Sequence, residues 1–178
     1  MIVRKFASDT AKSKQKYITD IVTNITTHKC SCASTVQHVG ARGFITDRWA
    51  TQLYEMIAVA LDAPRSEQPV AHWMLSWQPG EAPSSEQVED AVSVLLEELE
   101  LSDHQAIYAL RTKDQHYYLL LAVNRAHAVT GSVVKPNGGF DIEAGHKAIA
   151  KIAHQQGWAA ETHARYAVNT ETQGIVRI

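Results

Sequence analysis

Apolar residues at Ile18, Ile21, Val22 and Ile25 recur at steps of three and four, the spacing of one helical face, and predict a first helix over 13–27. A short strand over 2–6 precedes it. The segment 35–45 is rich in Val, Phe and Ile, carries Gly40 and Gly43, and reads as a strand or an irregular loop. Asp47 then stands as the N-cap of a second helix, 47–62. It places Trp49, Leu53, Met56, Ile57, Ala60 and Leu61 on one side, and Arg48, Gln52 and Glu55 on the other. Strand composition over 70–77 ends at the turn Gln78-Pro79-Gly80. Ser84 or Ser85 caps a third helix whose stripe is Val88, Ala91, Val92, Leu95, Leu96 and Leu99.

Further along, 104–111 and 116–127 read as strands joined by a polar turn, which predicts a hairpin. The second of them is apolar on both alternating faces: Tyr117, Leu119, Leu121 and Val123 on one, Tyr118, Leu120 and Ala122 on the other. A strand of that kind is buried on both sides and therefore central. Val133 and Val134 predict a short return strand, 141–156 a fourth helix closed by Gly157, and 166–169 and 175–178 edge strands. Helices and hairpins mixed in this order give an α+β class, with a central, mainly antiparallel sheet of about five strands and helices packed on it.

The 178 residues fit a single domain over 1–178. The longest apolar run, 117–123, is far short of the roughly 20 residues of a membrane helix, and the first residues lack the apolar middle of a secretory signal. A cytoplasmic protein without membrane contact is expected, with Cys30 and Cys32 as reduced thiols. Charge is unevenly distributed although the net value is -2. Residues 1–16 carry Arg4, Lys5, Lys12, Lys14 and Lys16 against Asp9 alone, whereas 81–103 carry eight acids and no base. The basic end is suited to phosphates, and the acidic helix is a solvated face that should point away from any nucleic acid.

Several segments, in order and spacing, resemble the conjugative relaxases, the mobilisation nucleases that nick one strand of plasmid DNA. They are His72-Trp-Met-Leu-Ser-Trp-Gln-Pro-Gly-Glu81 with Pro83, Asp103-His-Gln-Ala-Ile-Tyr-Ala-Leu110, and Ala122-Val-Asn-Arg125. Then follow His127, Thr130-Gly131, Asn137, Gly138, Phe140, Glu143-Ala144, His146, Gln155-Gln-Gly-Trp158 and Arg165-Tyr166, with a weaker match over 12–26. The resemblance implies the relaxase fold, of the His-hydrophobic-His endonuclease type. It also implies a tyrosine nucleophile on the first helix that attacks a phosphodiester, helped by Mg²⁺, Mn²⁺ or another divalent metal. Two histidines at alternate positions of a central strand would hold that metal, with a third from the preceding strand.

Aligned on Ala122-Val-Asn-Arg125, those histidine positions fall on Tyr118, Leu120 and Arg111, and an acidic position falls on Lys113. Leucine and arginine do not ligate a divalent cation. The nucleophile, which the resemblance places before Ile and Thr, falls on Asn24 in front of Ile25-Thr26. The reading is therefore a catalytically inactive relaxase-like protein with no catalytic residues and no metal cofactor at the family positions. It would bind single-stranded or origin DNA, or other transfer-complex proteins, as an accessory or regulatory factor in plasmid mobilisation or conjugative transfer. Candidate DNA contacts are Arg4, Lys5, Lys12, Lys14, Lys16, Arg42, Arg111 and Arg125.

Two alternatives stay open. One is a divergent single-strand endonuclease using Tyr17, seven residues before Asn24 on the same helical side, with relocated histidines drawn from His72, His104, His116, His127 and His146. The other is a protein–protein interaction module in which Tyr118 and Leu120 fill the former cleft. His28, Cys30, Cys32 and His38 are a candidate zinc set, although their spacing matches no common zinc module. His72 and Ser76 alternate onto one face, which suits an old phosphate-facing surface.

Overall fold

The computed structural model describes residues 1–27 and 34–178. Its elements in chain order are β1 (Ile2–Lys5), α1 (Lys14–Thr26), β2 (Thr35–Arg42), α2 (Trp49–Leu61), β3 (Val70–Ser76) and α3 (Ser85–Glu98). They continue as β4 (Ala106–Lys113), β5 (His116–Asn124), a short 3₁₀ turn (Pro136–Gly139), α4 (Asp141–Gln156), β6 (Tyr166–Val168) and β7 (Ile175–Arg177). A five-stranded sheet in the order β1-β3-β5-β4-β2, antiparallel at every pairing, forms the middle layer. β5 lies at its centre, as the apolar character of both its faces requires.

Alternation along the strands builds two cores. Trp73, Leu75, Tyr108, Leu110, Leu119, Leu121 and Val123 point to the face covered by α3 and α4, where Val88, Val92, Leu95, Leu96, Ala148 and Ile152 meet them. Val70, Ile107, Ala109 and Ala122 point to the other face, under Ile18, Val22 and Ile25 of α1 and Met56, Ile57 and Ala60 of α2. The acidic helix α3 thus sits on the face opposite α1 and α2. Gly40 is needed where β2 crosses Tyr108, because a Cβ there would lie 2.3 Å from the ring. The β4–β5 hairpin closes through Asp114 and Gln115 at φ 50 and 61, the positive angles of a two-residue primed turn.

The helix ends follow local chemistry. Ser84 and Gln87 form a reciprocal capping box on α3, Ser13 accepts from the Lys16 amide at the start of α1, and Gly157 closes α4 in the left-handed conformation. Three expectations are corrected. Asp47 does not cap α2, which begins after Arg48 without a side-chain cap; Glu55 reaches back instead to the amides of Ile45 and Thr46. Val133 makes only a bridge to Ala126 rather than a strand. The last two strands pair with each other as a separate hairpin and do not extend the sheet. Among the described residues no helix is long and apolar enough to cross a membrane.

Candidate functional site

Helices α1 and α2 cover the β4 and β5 half of their face, and leave the β1 and β3 half open. Strand alternation puts Arg4 and Ile2 of β1 and His72, Met74 and Ser76 of β3 on that open strip, beside Tyr118 and Leu120 of β5. Arg111 is the direct cross-strand partner of Tyr118, and Leu120 lies two residues along on the same side. The three positions therefore form the compact triangle that a three-ligand metal site needs. Their side chains are not the donors of a metal centre.

Arg111 is only 1% exposed. Its Nη1 donates to the carbonyl oxygens of Asn24 at 2.6 Å and Ile25 at 3.3 Å, and its Nε to Ser34 Oγ at 3.0 Å. Those carbonyls belong to the last turn of α1, which has no basic residue of its own. A helix ends in unsatisfied carbonyls and the negative pole of its dipole. Arg111 supplies from the neighbouring strand the donors and the charge that this end lacks. Leu120 packs into the core beneath α1 and α2, and Tyr118 forms one wall of an open cleft of about 430 Å³ with Met74, Ser76, Lys113, Asp114 and His116. In that cleft Ser76 Oγ and His116 Nε2 are 2.6 Å apart. A guanidinium, a phenol and an alkyl chain do not fit a divalent cation, and no group of three or more His, Cys, Asp or Glu among the described residues is placed to hold one.

The nucleophile position is more equivocal than the metal position. Asn24 is exposed at the end of α1, and it is its carbonyl rather than its amide side chain that meets Arg111. Tyr17, two turns earlier on the same stripe, is buried at 5% exposure and is itself followed by Ile18 and Thr19. The residue pattern therefore fits two frames, and only the earlier one has a hydroxyl.

The candidate histidines are scattered. His72 stacks on Phe6 with ring centroids 4.3 Å apart, and burial pushes its pKa down to about 4. The folded protein keeps it neutral where the unfolded chain, near 6.5, takes up a proton. The stability this carries is whole above about pH 6.5 and is lost as pH falls toward 4. His72→Phe, which keeps the stack, is expected to remove about 3 kcal/mol of that acid sensitivity, read from urea midpoints at the two ends of the window. His104 and His127 meet edge to face with ring centroids 5.2 Å apart; burial and then His127 lower the pKa of His104, while His127 Nδ1 accepts from the amides of Val129 and Thr130. Burial, then Arg165, lowers that of His146. His38 is bound to Glu89 at 2.7 Å on the α3 side; its three expected partners, His28, Cys30 and Cys32, lie outside the described residues.

The expected DNA contacts do not form one surface. Arg111 does not belong with them, because it is buried against α1. Lys5 is paired with Asp141 and lies over Trp73 on the α4 side, and Arg42 is held by Glu89, Ser93 and Tyr108 on the α3 side. Lys12 and Lys16 pair with Asp20, and Lys14 donates to the carbonyl of Ala63 at 2.7 Å. Arg4 stands exposed on the open strip, and Arg125 holds the carbonyls of Gln68 and Pro69 at the far end of β5. Sequence reasoning missed Arg65 and Lys135, which line a cleft with Arg125 and come from separate loops.

The family model of the MobA/VirD2-like relaxase nuclease domain matches residues 22–158. The chain belongs to this relaxase family. Protein MobA of Acidithiobacillus ferrooxidans is 53% identical over 113 residues, covering 64% of this chain. The match spans 28% of that protein's length. No solved structure matches the chain. Within the relaxase frame, Asn124 explains one family-like motif structurally: fully buried, it donates to the Met56 carbonyl and to Gln105, and pins the end of β5 to α2.

Proposed function

We propose that this relaxase-family chain binds single-stranded DNA in plasmid mobilisation without carrying out metal-dependent nicking. The observation that supports the reading is the use of Arg111 as the buried cap of α1 beside Tyr118 and Leu120. Attack on a phosphodiester builds negative charge on the phosphate oxygens, and in this family a metal held by histidines offsets it. A guanidinium buried against helix carbonyls is not available for that task. The β1 edge of the sheet, with exposed Ile2 and Arg4 beside half-buried Met74, leaves room for a nucleic-acid strand next to this site. A supercoiled plasmid with the cognate transfer origin, incubated with the protein and Mg²⁺ or Mn²⁺, is expected to stay supercoiled; conversion to relaxed circles would overturn the reading.

One observation favours a second reading. Tyr17 keeps the Tyr-Ile-Thr order, so a nucleophile persists on α1, and a divergent single-strand endonuclease using Tyr17 with relocated histidines is the form that residual activity would take. In a third case, a chain that fails to shift single-stranded DNA even at low salt, the fold serves as a docking module for other transfer proteins.

A further inference from the structure

Many of the described cations are neutralised locally. Lys5, Lys12, Lys16, Arg42, Lys151 and Arg165 are each paired with a carboxylate. None of the ion pairs among the described residues involves Arg65, Arg125 or Lys135, yet these three line one cleft of about 530 Å³. They come from the loop before β3, the end of β5 and the loop before the 3₁₀ turn, and the β1–α1 loop adds Ser8 and Thr10. Glu67 is the one carboxylate among the lining residues.

We infer that this cleft binds the phosphodiester backbone of single-stranded nucleic acid, an inference that rests on the DNA-binding reading above. Arg125 is already oriented. Its Nε donates to the Pro69 carbonyl at 3.3 Å and its Nη2 to the Gln68 carbonyl at 3.0 Å, while no carboxylate among the described residues pairs with it. Arg65 and Lys135 are exposed on either side, and gathering three like charges is unfavourable unless an anion compensates them. The hydroxyls of Ser8, Thr10 and Ser66 add the neutral donors that phosphate oxygens accept.

Location strengthens the case. The cleft lies at the opposite end of β3 and β5 from Ser76 and Tyr118, roughly 20 Å away at the rise of a strand. The strip between them carries Ile2, Arg4, His72, Met74 and Ser76, and no acid. A single strand gripped by its phosphates at Arg65, Arg125 and Lys135 can run along the exposed Ile2 and Arg4 edge toward Tyr118, where Asp114 is the one carboxylate lining the cleft.

The test uses the whole chain, a fluorescein-labelled single-stranded oligodeoxynucleotide of mixed sequence, and anisotropy across a salt series. The double variant Arg65→Gln/Lys135→Gln removes two exposed charges and leaves the hydrogen bonds of Arg125 in place. It is expected to weaken binding about tenfold or more and to reduce the slope of log K against log salt by about 1.4. The matched double Arg48→Gln/Arg177→Gln, on exposed cations away from the cleft, is expected to bind as the parent does. Equal losses in both doubles, or no loss in either, overturn the cleft while leaving DNA binding standing. A parent that does not bind the oligonucleotide at low salt overturns the broader reading, and this one with it. Binding of inorganic phosphate or pyrophosphate that the oligonucleotide does not displace makes the cleft a small-anion site and also overturns the proposal.

Discussion

With Arg111, Tyr118 and Leu120 all changed to histidine, the protein is expected to retain about one Zn²⁺ or Mn²⁺ ion per chain through dialysis, where the parent retains none at these positions. The expectation follows from the sheet. Arg111 and Tyr118 face each other across β4 and β5, and Leu120 follows on the same side, so three imidazoles placed there converge on one point. On the proposed reading, side-chain chemistry rather than backbone register separates this chain from a metal site. Because Arg111 also caps α1, the pair Tyr118→His/Leu120→His serves as a second variant that leaves the cap alone and should bind metal more weakly than the triple variant. A triple variant that folds and holds no metal would show that the family alignment onto these three positions is wrong.

The second large effect is on stability. Arg111→Met is expected to cost about 3 kcal/mol, because it leaves buried helix carbonyls without the donors and charge that now satisfy them. Replacement by an apolar residue of similar size is harmless when both partners of a buried pair are removed, but here the carbonyls of Asn24 and Ile25 remain. Against a total of roughly 5–15 kcal/mol for a domain of this kind, the loss is severe. It should appear as a lower urea midpoint at unchanged slope. Arg111→Lys, which keeps the charge but loses the fork that reaches α1 and Ser34 together, should fall between the two. An Arg111→Met protein as stable as the parent would show that the end of α1 does not depend on the arginine.

Much of the fold was legible because its signals are local. The stripe of α3 with its serine cap, the Gly157 stop and the doubly apolar β5 each fix an element within a few residues, and the mix of hairpins and helices then gives the class, a mainly antiparallel sheet with helices packed on it. The ends of the chain read less well, because two short apolar runs cannot say whether they join the main sheet or each other. By residue type Asp47 is a good cap, but Glu55, a turn and a half into α2, takes the amides instead.

The site is harder to read for a related reason. Arginine is usually a surface residue, so Arg111 looks by type like a DNA contact, and its burial depends on a helix end more than eighty positions earlier in the chain. Arg65 and Lys135 stand in loops seventy residues apart and become neighbours only when β3 and β5 pair. The nucleophile is ambiguous because seven residues make nearly two full turns of helix, which places Tyr17 and Asn24 on one stripe with the same following residues in part.

The most direct trial of the inactive-site reading is a search for a covalent link. The intact protein is incubated with a single-stranded oligonucleotide spanning the cognate nick site, with and without Mn²⁺, and the products are read by denaturing gel and intact mass. Unmodified protein and full-length oligonucleotide are expected under both conditions. A protein–DNA adduct that forms with Mn²⁺ and disappears in Tyr17→Phe would contradict that reading.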